Sequence, residues 1–226
     1  MPATLGVLML ETRFPRPLGD VGNAATFSFP VRYRVVAGAS PRRVVVERDA
    51  SLLAPFITAA RALQDEGVAA IATSCGFLTL FQRQLQAALA VPVWSSSLLL
   101  VTGLQERLGA ARVGIVTADA GSLSADHLRA VGAAIDTPIE GLAIESAFRT
   151  TLLENRADLD VDDARAATVT AAQRLVDRCP EIAAIVLECT NMPPYADAVR
   201  AATGLSVHDI TTLIASRFPP PNVAGP

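Results

Sequence analysis

Charge is scarce in this chain of 226 residues. Only 18% of the residues are charged, the formal net charge is −3, and the arginines are spread along the chain rather than clustered. Proteins that bind nucleic acid carry a basic patch, so nucleic acid is not an expected partner. The 51% content of hydrophobic residues instead predicts buried strands and apolar helices, and it argues against a disordered chain.

Long apolar runs and closely spaced cysteines are also missing, and histidines are few. The longest uncharged apolar stretch, residues 85–103, is interrupted by Gln86, Pro92 and three serines, so no membrane span is expected. Residues 3–10 lack the basic flank and the cleavage site of a signal peptide, which predicts a first strand and a cytoplasmic protein with reduced cysteines. With two histidines and no Cys-x-x-Cys motif, no metal site is expected.

Apolar runs of strand length alternate with helical patterns along the chain. The predicted strands or extended segments cover residues 5–10, 27–36, 44–46, 68–73, 91–94, 112–117, 138–142, 182–187 and 207–208. The predicted helices cover residues 52–66, 78–90, 98–108, 124–131, 162–178, 195–203 and 211–217. This alternation predicts an α/β fold built on parallel sheets.

Two segments that lie about half a chain apart share one pattern. Residues 68–77 read VAAIATSCGF, and residues 182–192 read IAAIVLECTNM. When the segments are aligned on Cys75 and Cys189, each runs Ala-Ala-Ile, then three residues, then cysteine. The repeat predicts two pseudosymmetric lobes, each a parallel sheet flanked by helices, with the active site in the cleft between them.

The same repeat suggests where the lobes divide. We expect residues 1–95 plus 207–226 to form the first lobe, which carries Cys75, and residues 96–206 to form the second lobe, which carries Cys189. The last helix then crosses back to the first lobe. The segment from Phe218 onward, FPPPNVAGP, is expected to be a loosely held tail.

Both cysteines lie where a predicted strand ends and a helical pattern begins. Open α/β sheets bind ligands at this edge, and the free amides of a helix start favour a thiolate or a substrate carboxylate. A carboxylate bound between the two turns would present its α-carbon to one thiol on each face. One thiolate would remove the α-proton, and the other thiol would deliver a proton from the opposite side, through an enediolate intermediate. The alternative interpretation is that both cysteines are simply small buried apolar residues.

Other residues beside the strand ends are candidate substrate contacts. They are Thr73, Ser74, Gly76, Thr117, Thr190 and Asn191. The hydroxyls of the serine and the threonines could equally well cap a helix or a turn instead of binding substrate. The loop of residues 11–23 lies on the same side of the predicted sheet and is either a ligand loop or a plain surface connection. Cys179 is expected to be structural and His127 to lie on an exposed helix face, and strand alternation points Glu188 away from the neighbouring thiol.

The motifs TSCGF, residues 73–77, and LECTNMPPY, residues 187–195, resemble those of the cofactor-independent aspartate/glutamate racemase superfamily. That superfamily includes hydantoin racemases, maleate isomerases and arylmalonate decarboxylases. The resemblance implies that Cys75 and Cys189 are the two acid/base residues, with no metal or organic cofactor. The carboxylate contacts it implies, largely through backbone amides, are Gly76, Phe77, Thr190 and Asn191. It also implies a small-molecule carboxylate as substrate and a homodimer.

The chain departs from the superfamily pattern at the first thiol. Amino-acid racemases of this group carry Cys-Asn-Thr where this chain has Cys75-Gly76-Phe77, which favours a substrate other than aspartate or glutamate. The decarboxylases keep only one of the two cysteines, so the pair favours two-base isomerisation. The resulting hypothesis is a racemase or epimerase that inverts the α-carbon of a small carboxylate or hydantoin-like substrate. The alternatives are a decarboxylase, a maleate-type cis–trans isomerase and a non-catalytic two-lobed binding protein.

Overall fold

Two parallel sheets of four strands each form the framework. The computed structural model describes residues 2–218. The first sheet contains β1 (Leu5–Met9), β2 (Val31–Val35), β3 (Ala70–Thr73) and β4 (Val93–Trp94). The second contains β5 (Val113–Thr117), β6 (Ile139–Gly141), β7 (Ala184–Leu187) and β8 (Ser206–His208). The strand orders, β2-β1-β3-β4 and β6-β5-β7-β8, are the same in both halves, and every pair is parallel. The predicted pair of similar α/β halves is confirmed.

The helices follow the strands in the predicted alternation. Those of the described residues are α1 (Leu53–Asp65), α2 (Gln82–Ala87), α3 (Val101–Leu108), α4 (Ala125–Ala130), α5 (Ala147–Glu154), α6 (Val161–Arg178), α7 (Ala196–Thr203) and α8 (Ile210–Arg217). Short polar side chains set their starts. The Asp160 carboxylate accepts two backbone N–H bonds at the start of α6, and the Asp209 carboxylate does the same at α8. Helix α6 ends at Cys179, before Pro180, because the residue before a proline avoids the helical region.

Helices α3 and α8, which end the two halves in chain order, each pack against the sheet of the other half. Side chains of α8, including Leu213, pack in one apolar cluster with Leu5 and Val7 of the first sheet. Helix α3 lies against β5 of the second sheet. Residue 207, where the first lobe was predicted to resume, lies inside β8, and β8 pairs with β7 of the second sheet. The chain therefore crosses at Asp209, between β8 and α8.

One local prediction is wrong, and one helix has no counterpart in the predictions. The valine-rich residues 44–46 were predicted as strand, but they lie in a single helical turn, Arg42–Val46, in which Val44 and Val45 are buried. Burial of these side chains outweighs their intrinsic preference for strands, which is weak relative to packing. Helix α5 was not predicted; Ser146 caps its start and Asn155 closes it in the left-handed conformation, with φ of 55°. The predicted loosely held tail lies, beyond Phe218, outside the described residues.

Two further features bear on function. None of the helices within residues 2–218 combines the length and the apolar character that crossing a bilayer requires. Across the same residues, no three side chains of His, Cys, Asp or Glu come together as a group that could hold a metal ion.

Candidate active site

The two repeated cysteines face one cavity. Strands β3 and β7 hold equivalent places in their sheets, and each thiol, at Cys75 and Cys189, lies shortly beyond the end of its strand. Both side chains line a cavity of about 410 Å³, counted to its open mouth, where the two halves meet. The carboxyl ends of parallel strands carry ligand sites in folds of this type, so this cavity is the candidate active site.

Most of the predicted contacts lie on this cavity. The predicted residues among its lining are Ser74, Cys75, Gly76, Phe77, Cys189, Thr190 and Asn191. Thr73 and Thr117 are not among them. The Thr73 hydroxyl donates to the carbonyl oxygens of Cys75 and Ser95, at 3.0 and 2.7 Å, and the Thr117 hydroxyl donates to the Glu188 carboxylate at 2.7 Å. Strand alternation turns the side chains of both threonines into the packed layers and away from the cavity. Their hydrogen bonds thus fix residues that line or adjoin the cavity, and neither hydroxyl faces it.

Thr190 and Asn191 join the two halves at the cavity wall. The Thr190 hydroxyl donates to the carbonyl oxygen of Ser74 at 2.6 Å. The Asn191 side-chain amide donates to Asp20 at 2.7 Å, and its oxygen lies 3.7 Å from the Cys189 sulfur, which is the donor. The hydroxyl of Thr190 and the side-chain amide of Asn191 are therefore already bonded to protein groups of the first half.

The loop after β1 supplies a cation that the sequence analysis did not identify by residue. Arg16 lines the cavity, donates to Asp20 at 3.2 Å and to the Thr12 hydroxyl at 2.8 Å, and lies 4.6 Å above the ring of Phe14. The loop follows a strand on the ligand side, which was the available signal. Its polar composition alone did not separate a ligand loop from a surface connection. The structure places Thr12, Phe14 and Arg16 of this loop on the cavity that both thiols line.

Glu188 is the second functional candidate that sequence reasoning missed. It was predicted to point away from the thiol, but it is fully buried and lines the cavity. Strand β7 ends at Leu187, so the alternation of strand side chains no longer applies one residue later. Its Oε2 accepts the Thr117 hydroxyl, while Oε1 has no hydrogen-bond partner within the described residues.

Desolvation holds both thiols of the cavity in the protonated form. Burial raises the pKa of the Cys75 thiol to about 12, and the charge of Glu188 adds to the rise; the amides of Phe77 and Leu78 and the charge of Arg16 oppose it. Burial and Glu188 raise the pKa of Cys189 well above its ordinary value. The sequence analysis predicted easier ionisation at Cys75. The expected amides are present, but desolvation outweighs them.

His127 supports the wall of the cavity from the second half. It was predicted on an exposed helix face, but it is fully buried. Its Nδ1 accepts the backbone N–H of Ser124 at 3.1 Å, and its ring meets Phe77 edge-on, with centroids 5.2 Å apart. Burial lowers the pKa of His127 to about 4, so the ring is neutral and acts as an aromatic partner of Phe77.

Replacing Glu188 with glutamine is expected to stabilise the protein at high pH. Burial raises the pKa of Glu188 from 4.5 to about 7. The unfolded chain therefore loses this proton near pH 4.5 and the folded chain near pH 7, so wild-type stability falls as the pH rises between those values. Glutamine keeps the Thr117 bond and carries no charge. The free energy of unfolding of Glu188→Gln should exceed that of wild type by a margin that grows by about 2–3 kcal/mol between pH 5 and pH 8.

Urea denaturation of both proteins at the two pH values measures that margin. The titration of His127 is common to both proteins and cancels in the comparison. A margin that stays constant with pH would mean that Glu188 is not held as a buried, readily protonated carboxyl group.

A family model and several solved structures match this chain. The model described as Asp/Glu/Hydantoin racemase matches residues 42–217. A structure of unliganded arylmalonate decarboxylase is 18% identical, with a TM-score of 0.59, over 91% of this chain and 86% of its own. Glutamate racemase isoform RacE1 from Bacillus anthracis is 15% identical, with a TM-score of 0.57, over 96% of this chain and 83% of its own. At these identities the structures support the fold alone.

Curated relatives with higher identity carry a different activity in their names. The chain is 32% identical to "Dimethylsulfoniopropionate lyase" of Durusdinium sp. clade D over 92% of its length, which spans 71% of that protein. It is 33% identical to "Dimethylsulfoniopropionate lyase 7" of Emiliania huxleyi over 92% of its length, but spans only 64% of that protein. Both relatives are thus longer than this chain. The match of the family model, together with the two parallel four-stranded sheets, establishes that the chain belongs to the Asp/Glu/hydantoin racemase family.

Proposed function

We propose that this protein is a lyase that removes the α-proton of a small zwitterionic carboxylate, dimethylsulfoniopropionate, and releases dimethyl sulfide and acrylate. The observation that carries the proposal is the placement of two thiols, Cys75 and Cys189, on one cavity beside a cation, Arg16. The choice of elimination over inversion rests on the curated relatives, which are named as lyases of this compound and align with 92% of the chain.

The reaction needs only one base. A thiolate takes the proton from the α-carbon, and the electron pair of that C–H bond forms the double bond to the β-carbon. The bond from the β-carbon to sulfur breaks, and its electrons leave with neutral dimethyl sulfide. The remaining carboxylate is acrylate. Negative charge builds on the carboxylate oxygens during proton removal, so a cation or backbone amides beside that carboxylate lower the barrier.

We assign the base to Cys75. The amides of Phe77 and Leu78 and the charge of Arg16 all favour its thiolate. Cys189 is less suited: the backbone amide of Asn191 favours its thiolate, but burial, Glu188, Cys75 and Asp20 all raise its pKa. Its thiol also donates to the Asn191 side chain, which stabilises the protonated form. Cys189 then acts as a neutral wall of the site, or as a proton donor where a product requires one.

Replacing Arg16 with glutamine is expected to raise KM for a carboxylate substrate by roughly 10–100-fold, because a charge-assisted hydrogen bond is worth about 1.5–3 kcal/mol. Arg16→Lys keeps the charge beside Asp20 and should recover part of the loss. Steady-state kinetics measures both, and Arg178→Gln, on an exposed turn of α6 bonded to Glu140 and Ile139, is the control. An unchanged KM in Arg16→Gln would remove the arginine from the carboxylate site.

The function is tested by incubating the wild-type protein with dimethylsulfoniopropionate and following dimethyl sulfide in the headspace and acrylate by NMR. The proposal predicts equal amounts of both products. The same protein is then given amino acids, hydantoins and arylmalonates in heavy water. Deuterium entry at the α-carbon of one of these, with no release of dimethyl sulfide from the sulfonium, would reject the lyase in favour of another reaction of this fold.

Inversion of an α-carbon is the second candidate function. The equivalent positions of the two thiols favour it. Each thiol follows the equivalent strand of its own half, and both line one cavity. Two-base inversion requires one base on each face of the α-carbon, which such a pair provides. In that case loss of either thiol abolishes inversion, while exchange of the α-proton on the remaining side can persist.

A further inference from the structure

Glu188 is a buried carboxylate with one oxygen left unbonded at the cavity. It is fully buried, its Oε2 accepts the Thr117 hydroxyl, and its Oε1 has no hydrogen-bond partner within residues 2–218. Leaving a buried acceptor unsatisfied costs on the order of 1–3 kcal/mol, and more when the group is charged. Such a group in a cavity wall points to a ligand that would complete it.

The chain makes room for this carboxylate at the first thiol. A Cβ atom at Gly76 would lie 2.5 Å from the backbone oxygen of Glu188 and closer still to its Oε1. Only glycine allows such an approach. The unbonded Oε1 of Glu188 therefore lies against the turn that carries Cys75. Glu188 itself is the residue next to Cys189 in the chain.

Within the described part of the chain, no protein cation is bonded to Glu188. Among the described residues that line the cavity, Arg16 is the only one with a positive charge. That charge is already shared with Asp20, the Thr12 hydroxyl and the ring of Phe14. The cavity thus offers a cation bonded to a partner and, separately, a carboxylate whose free oxygen has none.

We infer that Glu188 binds the positively charged group of the substrate, a sulfonium or a quaternary ammonium. This inference rests on the proposed function, because it completes the recognition of a zwitterion whose carboxylate lies at Arg16. A methylated cation has no N–H or O–H to donate, so a carboxylate in a site of low dielectric is the group suited to it. The apolar side chain of Phe77, which also lines the cavity, gives its methyl groups a surface.

The arrangement ties substrate binding to thiol ionisation. The charge of Glu188 raises the pKa of both cysteines in the protein alone. A bound cation offsets that charge and adds its own attraction for a thiolate, so the pKa of Cys75 falls when the substrate enters. The base is then generated only with a cationic substrate in place.

Two matched probes test the inference without turnover. 3-(Trimethylammonio)propanoate carries a quaternary cation, and 4,4-dimethylpentanoate has the same shape with carbon in place of nitrogen. Calorimetric titration at pH 8 should show that wild type prefers the cationic probe at least tenfold. In Glu188→Gln the affinity for the probe with the quaternary ammonium end should fall about 10–100-fold, while that for the carboxylate with the uncharged tert-butyl end stays equal or improves. Glu140→Gln, a carboxylate paired with Arg174 and Arg178, should retain the wild-type preference.

Several outcomes would overturn the inference. One is an equal loss of affinity for both probes in Glu188→Gln. The others are an unchanged preference in that variant and failure of the wild type to bind the probe with the quaternary ammonium end. Should Glu188→Gln not fold, the pH dependence of the wild-type preference decides the matter: it should be largest at pH 8 and fall towards pH 5.5, because Glu188 has a pKa of about 7 and loses its charge over this range. A clear cation preference without release of dimethyl sulfide would reject the lyase but keep the cation site. Release of dimethyl sulfide without that preference would keep the lyase and reject the cation site.

Discussion

Cys75→Ser is expected to lower kcat for dimethyl sulfide release by at least about 1,000-fold, within the range of a positioned acid or base. A serine hydroxyl does not ionise in the working pH range, so the amides of Phe77 and Leu78 that favour a thiolate cannot generate a base from it. The exchange changes one atom and preserves the buried volume closely. The loss should therefore appear in kcat, with KM little changed, and headspace kinetics measures both.

Cys189→Ser separates elimination from inversion. Neutral dimethyl sulfide leaves without taking a proton, so the second thiol is not required as an acid, and a loss of only about tenfold is expected for the lyase, well below the effect of a positioned acid or base. A racemase would lose inversion equally in both variants. Cys179→Ser, at the partly exposed end of α6, is the control and should keep wild-type kinetics. If Cys75→Ser kept normal turnover, the assignment of the base would be wrong.

Gly76→Ala is expected to disrupt both stability and catalysis. The added Cβ would lie 2.5 Å from the backbone oxygen of Glu188 and closer still to its carboxylate, both far inside contact distance. The backbone oxygen belongs to the other half of the protein and cannot rotate away, so the halves must separate at the cavity. Overpacking of this kind costs about 1–3 kcal/mol. Turnover should fall at least about 100-fold, since displacement of reacting groups by about 1 Å has that effect.

A second glycine offers a matched control for that change. In Gly103→Ala, within α3, the new Cβ would have its nearest contact at 3.9 Å from the Arg107 side chain. Alanine should stabilise this helix by about 0.5–1 kcal/mol and leave kinetics unchanged. Thermal denaturation and steady-state kinetics of both variants make the comparison. Equal melting temperatures for Gly76→Ala and wild type would show that the halves do not meet closely at Glu188.

The repeat of apolar strands and cysteines made the framework predictable. Short buried runs ending at small residues indicated β3 and β7, and their matching Ala-Ala-Ile segments indicated two similar halves. Both cysteines were correctly placed at the ends of those strands. A short apolar run that ends at small or turn-forming residues is a local signal, so the sequence alone shows where such a strand stops.

The residues that the sequence did not identify depend on contacts between distant segments. Glu188 enters the cavity because β7 ends one residue earlier, and its place exists only because Gly76, from the other half, has no side chain. Arg16 lies on the cavity because a loop without regular structure carries it there. His127 is buried because Phe77 packs on it. None of these contacts leaves a periodic signal in the sequence, and desolvation, which reversed the expected ionisation of Cys75, is likewise a property of the assembled fold.

The central claim, that a thiol on this cavity removes the α-proton, is tested most directly with dimethylsulfoniopropionate carrying two deuterium atoms at its α-carbon. In ordinary water, wild type should give acrylate that retains one deuterium at that carbon, and Cys75→Ser should give none above background. A three-carbon product that keeps both deuterium atoms, such as a substrate fragment attached to a cysteine in place of acrylate, or undiminished product from Cys75→Ser would contradict the account.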